Sequence, residues 1–182
     1  MNDLGKDVLF NLVTREYGET TAAAFDAQVF PRLEKLIARL ARLQTTGDAA
    51  ARTVFHDLHE RARAYRHWCG SLRMVCAWCA HVYGYLESKT AAARRKHEQL
   101  LQAAIDREIA NTAGLAGLLE TTDVEVCALS ATGNNTFFYG EDLPQLLREK
   151  IRLMKKYRHR RPRIDRDILW RPIPGAVWPK FE

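Results

Sequence analysis

The sequence predicts a mainly α fold: a helical bundle of four to five helices with one small β-hairpin and an extended C-terminal tail. Three patterns carry that expectation. Apolar residues recur every three or four positions over most of the chain up to Thr122, the spacing of an amphipathic helix. From Asp123 the period shortens to two, as in a half-buried strand. Beyond Arg160 the chain is punctuated by Pro162, Pro172, Pro174 and Pro179, which forbid a continuous helix. The bundle is expected to span residues 1–159, with its hairpin near 123–139, and the tail residues 160–182. A length of 182 residues fits one domain with an appended tail. A content of 47% hydrophobic and 27% charged residues excludes a wholly disordered chain.

The first stripe runs Phe25, Val29, Leu33, Leu36, Leu40 and Leu43. Pro31 lies inside it, so the helix either starts near Phe30 with the proline in its first turn or kinks there. Thr45-Thr46-Gly47 reads as a stop and Asp48 as the N-cap of the next helix. That helix is expected to turn Val54, Phe55, Leu58, Ala62 and Tyr65 inward. Gly70-Ser71 either ends it or passes through a longer one. Leu72, Val75, Cys76, Cys79, Val82, Tyr83 and Leu86 form the most apolar stripe, expected at the bundle centre. After the polar run Glu87–Glu98 the helical pattern resumes at Leu100, Leu101, Ala104, Ile105 and Ile109, and it weakens over Asn111–Gly117.

Val124, Val126 and Ala128 then alternate with Glu125 and Cys127. Gly133-Asn134-Asn135 supplies turn residues and Thr136–Tyr139 strand formers, which together read as a hairpin. An isolated hairpin is marginal in water, so it is expected to pack on the helices or on a partner. Asp142 is placed to cap a last helix with Pro144 in its first turn and Leu146, Leu147, Ile151 and Met154 inward.

Charge is the most informative feature for function. The net charge of +6 is not spread over the chain. Between Arg148 and Arg166 stand ten Lys or Arg against Glu149 and Asp165 alone, a local excess of +8, so the rest of the chain is slightly acidic. A cationic run of that density favours polyanions, because each Lys or Arg that neutralises a phosphate releases a condensed counterion, and Arg pairs phosphate or carboxylate through two parallel bonds. Arg148, Arg152, Lys155, Lys156, Arg158, Arg160, Arg161, Arg163 and Arg166 are the expected nucleic-acid contacts. Tyr157, His159 and Trp170 are interleaved and suited to stacking on unpaired bases. The bland alternative is a solvated helix face. The string from Lys155 to Arg163 also has the composition of a nuclear-import signal.

The stretch from Asp167 to Glu182 is nearly neutral and carries Ile168, Leu169, Ile173 and Val177 among its prolines. It is too apolar for a free solvated tail. Trp170, Trp178 and Phe181 are expected to anchor it in a groove, on this chain or on a neighbouring subunit, since interfaces use large aromatic anchors.

Other chemistry finds little support. His67, Cys69, Cys76, Cys79 and His81 cluster in sequence, and Cys76-Ala77-Trp78-Cys79 has zinc-knuckle spacing. The Gly and polar turn residues that shape a knuckle are missing, no second pair follows, and small apolar core cysteines are the simpler account. A redox pair needs a cysteine exposed at a helix N-terminus, whereas this one sits mid-segment. His56-Asp57 resembles the metal dyad of HD-type phosphohydrolases, but that site needs an upstream His and none precedes His56. Phosphate-cradling loops, a nucleophile elbow and paired Glu-x-x-His motifs are absent. No cofactor is expected.

The N-terminal residues Met1–Val13 carry Asp3 and Asp7 and do not resemble a secretory or transit peptide. The longest uncharged apolar stretch, Met74–Leu86, falls well short of the ~20 residues of a membrane span. A soluble intracellular protein, cytoplasmic or nuclear, without a membrane partner is expected. Together these features predict a non-catalytic small subunit of a nucleoprotein assembly. Its basic segment would meet nucleic-acid backbone without reading sequence, and its tail would meet another subunit. The alternatives are a purely protein-binding adaptor, whose basic segment meets an acidic protein surface, and a metal-binding module or enzyme built on the Cys/His cluster.

Overall fold

The computed structural model describes residues 14–126 and 143–161, and these are mainly helical. Helix α1 (Arg15–Ala24) passes through a π-helical turn (Phe25–Val29) directly into α2 (Phe30–Leu43). Helices α3 (Ala49–Glu87), α4 (Ala91–Thr121) and α5 (Leu143–Tyr157) follow. Thr14 caps α1 by accepting a bond from the Tyr17 amide at 3.2 Å.

Pro31 reconciles both sequence alternatives. It stands in the first turn of α2, yet the chain does not stop before it. Proline cannot donate to the carbonyl four residues back and its ring crowds that carbonyl. The turn before it is widened, and the Phe30 N–H bonds Phe25 O, five residues back. A π-bulge of this kind absorbs the misfit without ending the helix.

Gly47 has φ +86°, a left-handed conformation that reverses the chain between α2 and α3. The Asp48 carboxylate then accepts the Ala51 N–H at 2.8 Å as N-cap. Helix α3 runs through Gly70-Ser71 without a break for 39 residues, about 58 Å. Gly70 is there for closeness, not for a break: a Cβ on it would lie 2.5 Å from Asn111 Oδ1 of α4.

Helix α4 likewise runs unbroken through Asn111–Gly117, where the pattern weakens. Its inner residues there are polar or small because they meet polar groups of α3. Asn111 Nδ2 donates to His67 O at 2.9 Å, and Asn111 Oδ1 meets His67 Nδ1 at 3.0 Å. Gly114 leaves room for the His67 ring, whose Cε1 would lie 2.5 Å from an added Cβ.

Helix α3 is the spine. Helix α4 packs along it, α1 and α2 cover other parts of it, and α5 docks on α4. The core runs along the α3–α4 contact, with Ala62, Cys69, Ala77, Cys79, Ala80 and Val82 of α3 and Leu101, Ala104, Ala116 and Leu118 of α4 buried. Ion pairs hold the first segment across the spine. Arg73 binds Asp26 at 2.7 Å and holds its carboxyl below the usual range, and Arg66 binds Glu34 while stacking over Phe30. No helix among the described residues is long and apolar enough to cross a membrane.

Several expectations need correction. Val54, Leu58 and Tyr65 are 56%, 45% and 58% exposed, not inward. The bundle is sparse around the N-terminal half of α3, so a long spine outruns its neighbours. Leu72, Leu86 and Leu146, also expected inward, are 46%, 44% and 54% exposed. No strand occurs among the described residues: Asp123 and Val124 form a bend, and Glu125 and Val126 are irregular chain. Asp123 bonds His56 Nε2 at 2.8 Å and the Val124 N–H bonds Thr122 Oγ1 at 3.1 Å, which folds the chain off the end of α4. The rest of the expected hairpin, residues 127–139, lies outside the described residues, as do the Asp142 cap and the tail from 162.

Candidate functional site

The cationic strip enters on α5, and the structure divides it. Leu143, Leu147, Ile151 and Met154 recur every three or four positions and form the apolar face of that helix. The flanks of this face place cations beside the acidic residues of α4. Arg148 binds Glu120, Lys150 binds Glu108, Arg158 binds Asp106, and Arg161 lies 3.6 Å from Glu98. Arg152 pairs within its own helix with Glu149 and keeps that carboxyl below its ordinary range. Arg148, Lys150, Arg152 and Arg158 are therefore each matched to a carboxylate.

A different group remains. Lys155, Lys156 and Arg160 are exposed and have no carboxylate partner among the described residues. Two of them flank one ring: Arg160 lies 4.4 Å and Lys156 Nζ 5.3 Å from the Tyr157 centroid. Among the described residues the carboxylate contact of Arg161, 83% exposed, is the long one to Glu98. These cations crowd the C-terminal turn of α5, the end where the helix dipole is negative and favours positive charge. Arg163, Arg166, Trp170, Trp178 and Phe181 lie outside the described residues.

Beside this end of α5 lies an open cavity of about 720 Å³. Met74, Val75 and Trp78 of α3 and Leu101, Gln102 and Ile105 of α4 form its floor and one wall. Leu153, Met154 and Tyr157 form the other wall, and Glu98 with Arg158–Arg161 form a mainly cationic rim. Arg158 Nε is buried there without a hydrogen-bond partner. Sequence reasoning missed this cavity because its walls come from three helices whose separation no local pattern records.

The Cys/His cluster is not brought together as a metal centre. Cys69 and Cys79 are buried and Cys76 is half-buried, all as thiols. Burial pushes Cys79 up to about 11, which leaves it a poor nucleophile and a poor ligand. No group of three or more His, Cys, Asp or Glu is placed to hold a metal among the described residues. His67 belongs to Asn111, and His81 faces His97 with ring centroids 5.8 Å apart.

Glu108 and His97 are among the buried polar groups that were not singled out from the sequence. Glu108 of α4 accepts from Ser71 Oγ at 2.6 Å, Thr112 Oγ1 at 3.2 Å and Asn111 Nδ2 at 3.4 Å, as well as from Lys150. His97 is buried against Gly84, where a Cβ would fall 2.2 Å from its Cε1. The signal for Glu108 was its place at helical spacing in the inner series Leu101, Ala104, Glu108, Thr112. A carboxylate on a buried stripe needs partners.

Comparison of the chain with protein-family models, with curated proteins and with solved structures returns no match.

Proposed function

We propose that this chain is a non-catalytic small subunit of a nucleoprotein assembly, with the helical bundle as scaffold and the C-terminal end of α5 as its contact with nucleic-acid backbone. The single observation behind this reading is the cluster of Lys155, Lys156, Arg160 and Arg161 on one exposed helix end, three of them unneutralised among the described residues. In sequence the cluster continues through Arg163 and Arg166. Cations already matched to Glu98, Asp106, Glu108 and Glu120 contribute less, since a phosphate must compete with a carboxylate for them. Such contacts neutralise phosphates without reading bases.

The assembly part of the proposal has separate support. Val54, Leu58, Tyr65, Trp68 and Leu72 are exposed and fall on one face of α3 at helical spacing. Apolar residues grouped in this way suit a protein neighbour better than water. The extended tail, with Trp170, Trp178 and Phe181, is proposed to engage a neighbouring subunit.

Titration of the full chain with a labelled 12-nucleotide strand or 12-base-pair duplex at 50 and 200 mM salt tests the reading. With four phosphate contacts, affinity is expected to fall about 50- to 150-fold between those conditions. Lys155→Ala with Lys156→Ala is expected to flatten that slope, whereas Arg152→Ala leaves it unchanged. Absence of binding at 50 mM salt would overturn the nucleic-acid contact and favour the protein-binding adaptor, with the exposed α3 face and the tail as its proposed contacts.

A further inference from the structure

We infer that the cavity between α3, α4 and α5 receives an unstacked base of a single-stranded nucleic acid while the cations on its rim hold the adjoining phosphates. This rests on the nucleic-acid reading above and assigns that same end of α5 a preference for single strands.

The materials of the cavity suit a flat heterocycle attached to an anion. Tyr157, Trp78 and the thioether-bearing Met74 are among its lining residues. A base of any identity gains by stacking on such surfaces, because every base presents a π-face. Arg160 lies over the Tyr157 ring at 4.4 Å, so on that side a base would stack on the guanidinium, which is itself a stacking surface. Gln102 is the uncharged polar side chain of the α4 wall. Its amide has both donor and acceptor, as hydrogen bonding to a base edge requires.

The rim is complementary to the backbone. Arg158, Arg160 and Arg161 stand there with His159, against Glu98 alone. Arg158 supplies the clearest sign of a missing acceptor: its terminal nitrogen binds Asp106, but its Nε is buried with no partner. A buried donor left unpaired is costly, and a phosphate oxygen or a base carbonyl would satisfy it. A volume of about 720 Å³ accommodates a base with its sugar. A duplex cannot use this cavity, since its bases are paired and stacked within the helix.

The test uses the full chain and three probes: a 12-nucleotide single strand, a blunt 12-base-pair duplex and linear polyphosphate, which carries the charge without bases. At 200 mM salt the single strand is expected to bind about tenfold more tightly than the duplex, the effect of one or two base–aromatic stacks. Polyphosphate is expected to lack that advantage. Tyr157→Ala and, as a second and smaller change, Gln102→Ala are each expected to lower single-strand affinity while leaving duplex affinity unchanged. Circular dichroism confirms that each variant keeps its helices. Equal affinity for strand and duplex, indifferent to both substitutions, overturns the inference and leaves the backbone-contact reading in place. Failure of all three probes to bind in a salt-dependent way overturns both.

Discussion

Two buried polar clusters lie along the α3–α4 contact, and they end in opposite states. At Glu108 the carboxylate is fully covered and meets four donors, from Ser71, Asn111, Thr112 and Lys150. At His81 and His97 the two rings face each other, and the Nδ1 atom of each is buried without a partner. The first cluster links three helices and fixes how far each can slide, because any shift strands a charge. The second fixes little and leaves both rings uncharged. A satisfied polar network specifies a packing arrangement, whereas an unsatisfied one makes the fold sensitive to conditions.

The largest expected effect breaks the satisfied cluster. Lys150→Met leaves Glu108 buried without its cation. It is expected to cost about 3 kcal/mol in urea denaturation, the lower part of the range for breaking a buried pair because the lysine is itself partly exposed. A loss below about 1 kcal/mol would mean that the three neutral donors suffice, and the contrast between the clusters would be lost.

Gly84→Ala attacks the other cluster by volume. The added methyl meets the His97 ring, so a loss of about 1–3 kcal/mol is expected. Combining it with His97→Ala should cost less than the two changes summed, since the second removes what the first collides with. Strict additivity would show that the ring is not held against Gly84.

Acid should separate the two ends further. Burial lowers His81 and His97 below their ordinary 6.5, and each feels the charges around it. The His97 ring, Arg15 and Arg73 push His81 down and Glu19 pulls it up. Arg15 and Lys96 push His97 down while Glu19 and Glu87 oppose them. Burial also lowers His67, against the bond its Nδ1–H donates to Asn111 Oδ1. The unfolded chain therefore binds protons that the folded chain refuses, and stability falls as pH drops through about 6.5 before levelling below the folded values. His56 is raised by Asp123 and contributes in the opposite sense, but both groups are exposed and solvent screens the pair. The melting temperature is expected to decline between pH 7 and 5, and His97→Gln should make that decline shallower. An unchanged slope in the variant would place the proton uptake elsewhere.

The smallest effect is chemical. Cys79 sits two residues from His81, 2% exposed and with its thiol pushed up to about 11. In the native protein at pH 8 it should resist iodoacetamide over hours while the unfolded protein reacts. Rapid native labelling would show that water reaches this end of the core.

How much was legible beforehand varies along the chain. The Asp48 cap and the Pro31 position were readable, because capping and proline sterics act within one turn. The mainly helical class was readable from periodicity alone. The inward orientation assigned to Val54, Leu58 and Tyr65 failed because a stripe shows that a helix has an apolar face, not that a neighbour covers it. Gly70 and Asn111 looked like weak points and proved to be places of close approach. Among the proposed contacts, Lys155, Lys156 and Arg160 stay unpaired among the described residues, while Arg148, Arg152 and Arg158 were drawn into ion pairs.

By itself the sequence determined what depends on neighbours in the chain: that most of it is helical, that one helix stops before Gly47 and the next is capped by Asp48, and that positive charge is concentrated near one end. Tertiary structure alone decided which of those charges remain available. Glu98, Asp106, Glu108 and Glu120 are far from α5 in sequence, and only the packing of α4 against it brings them within reach. The physical reason is range: backbone propensity is settled over a few residues, whereas a Coulomb contact is settled by distance in space.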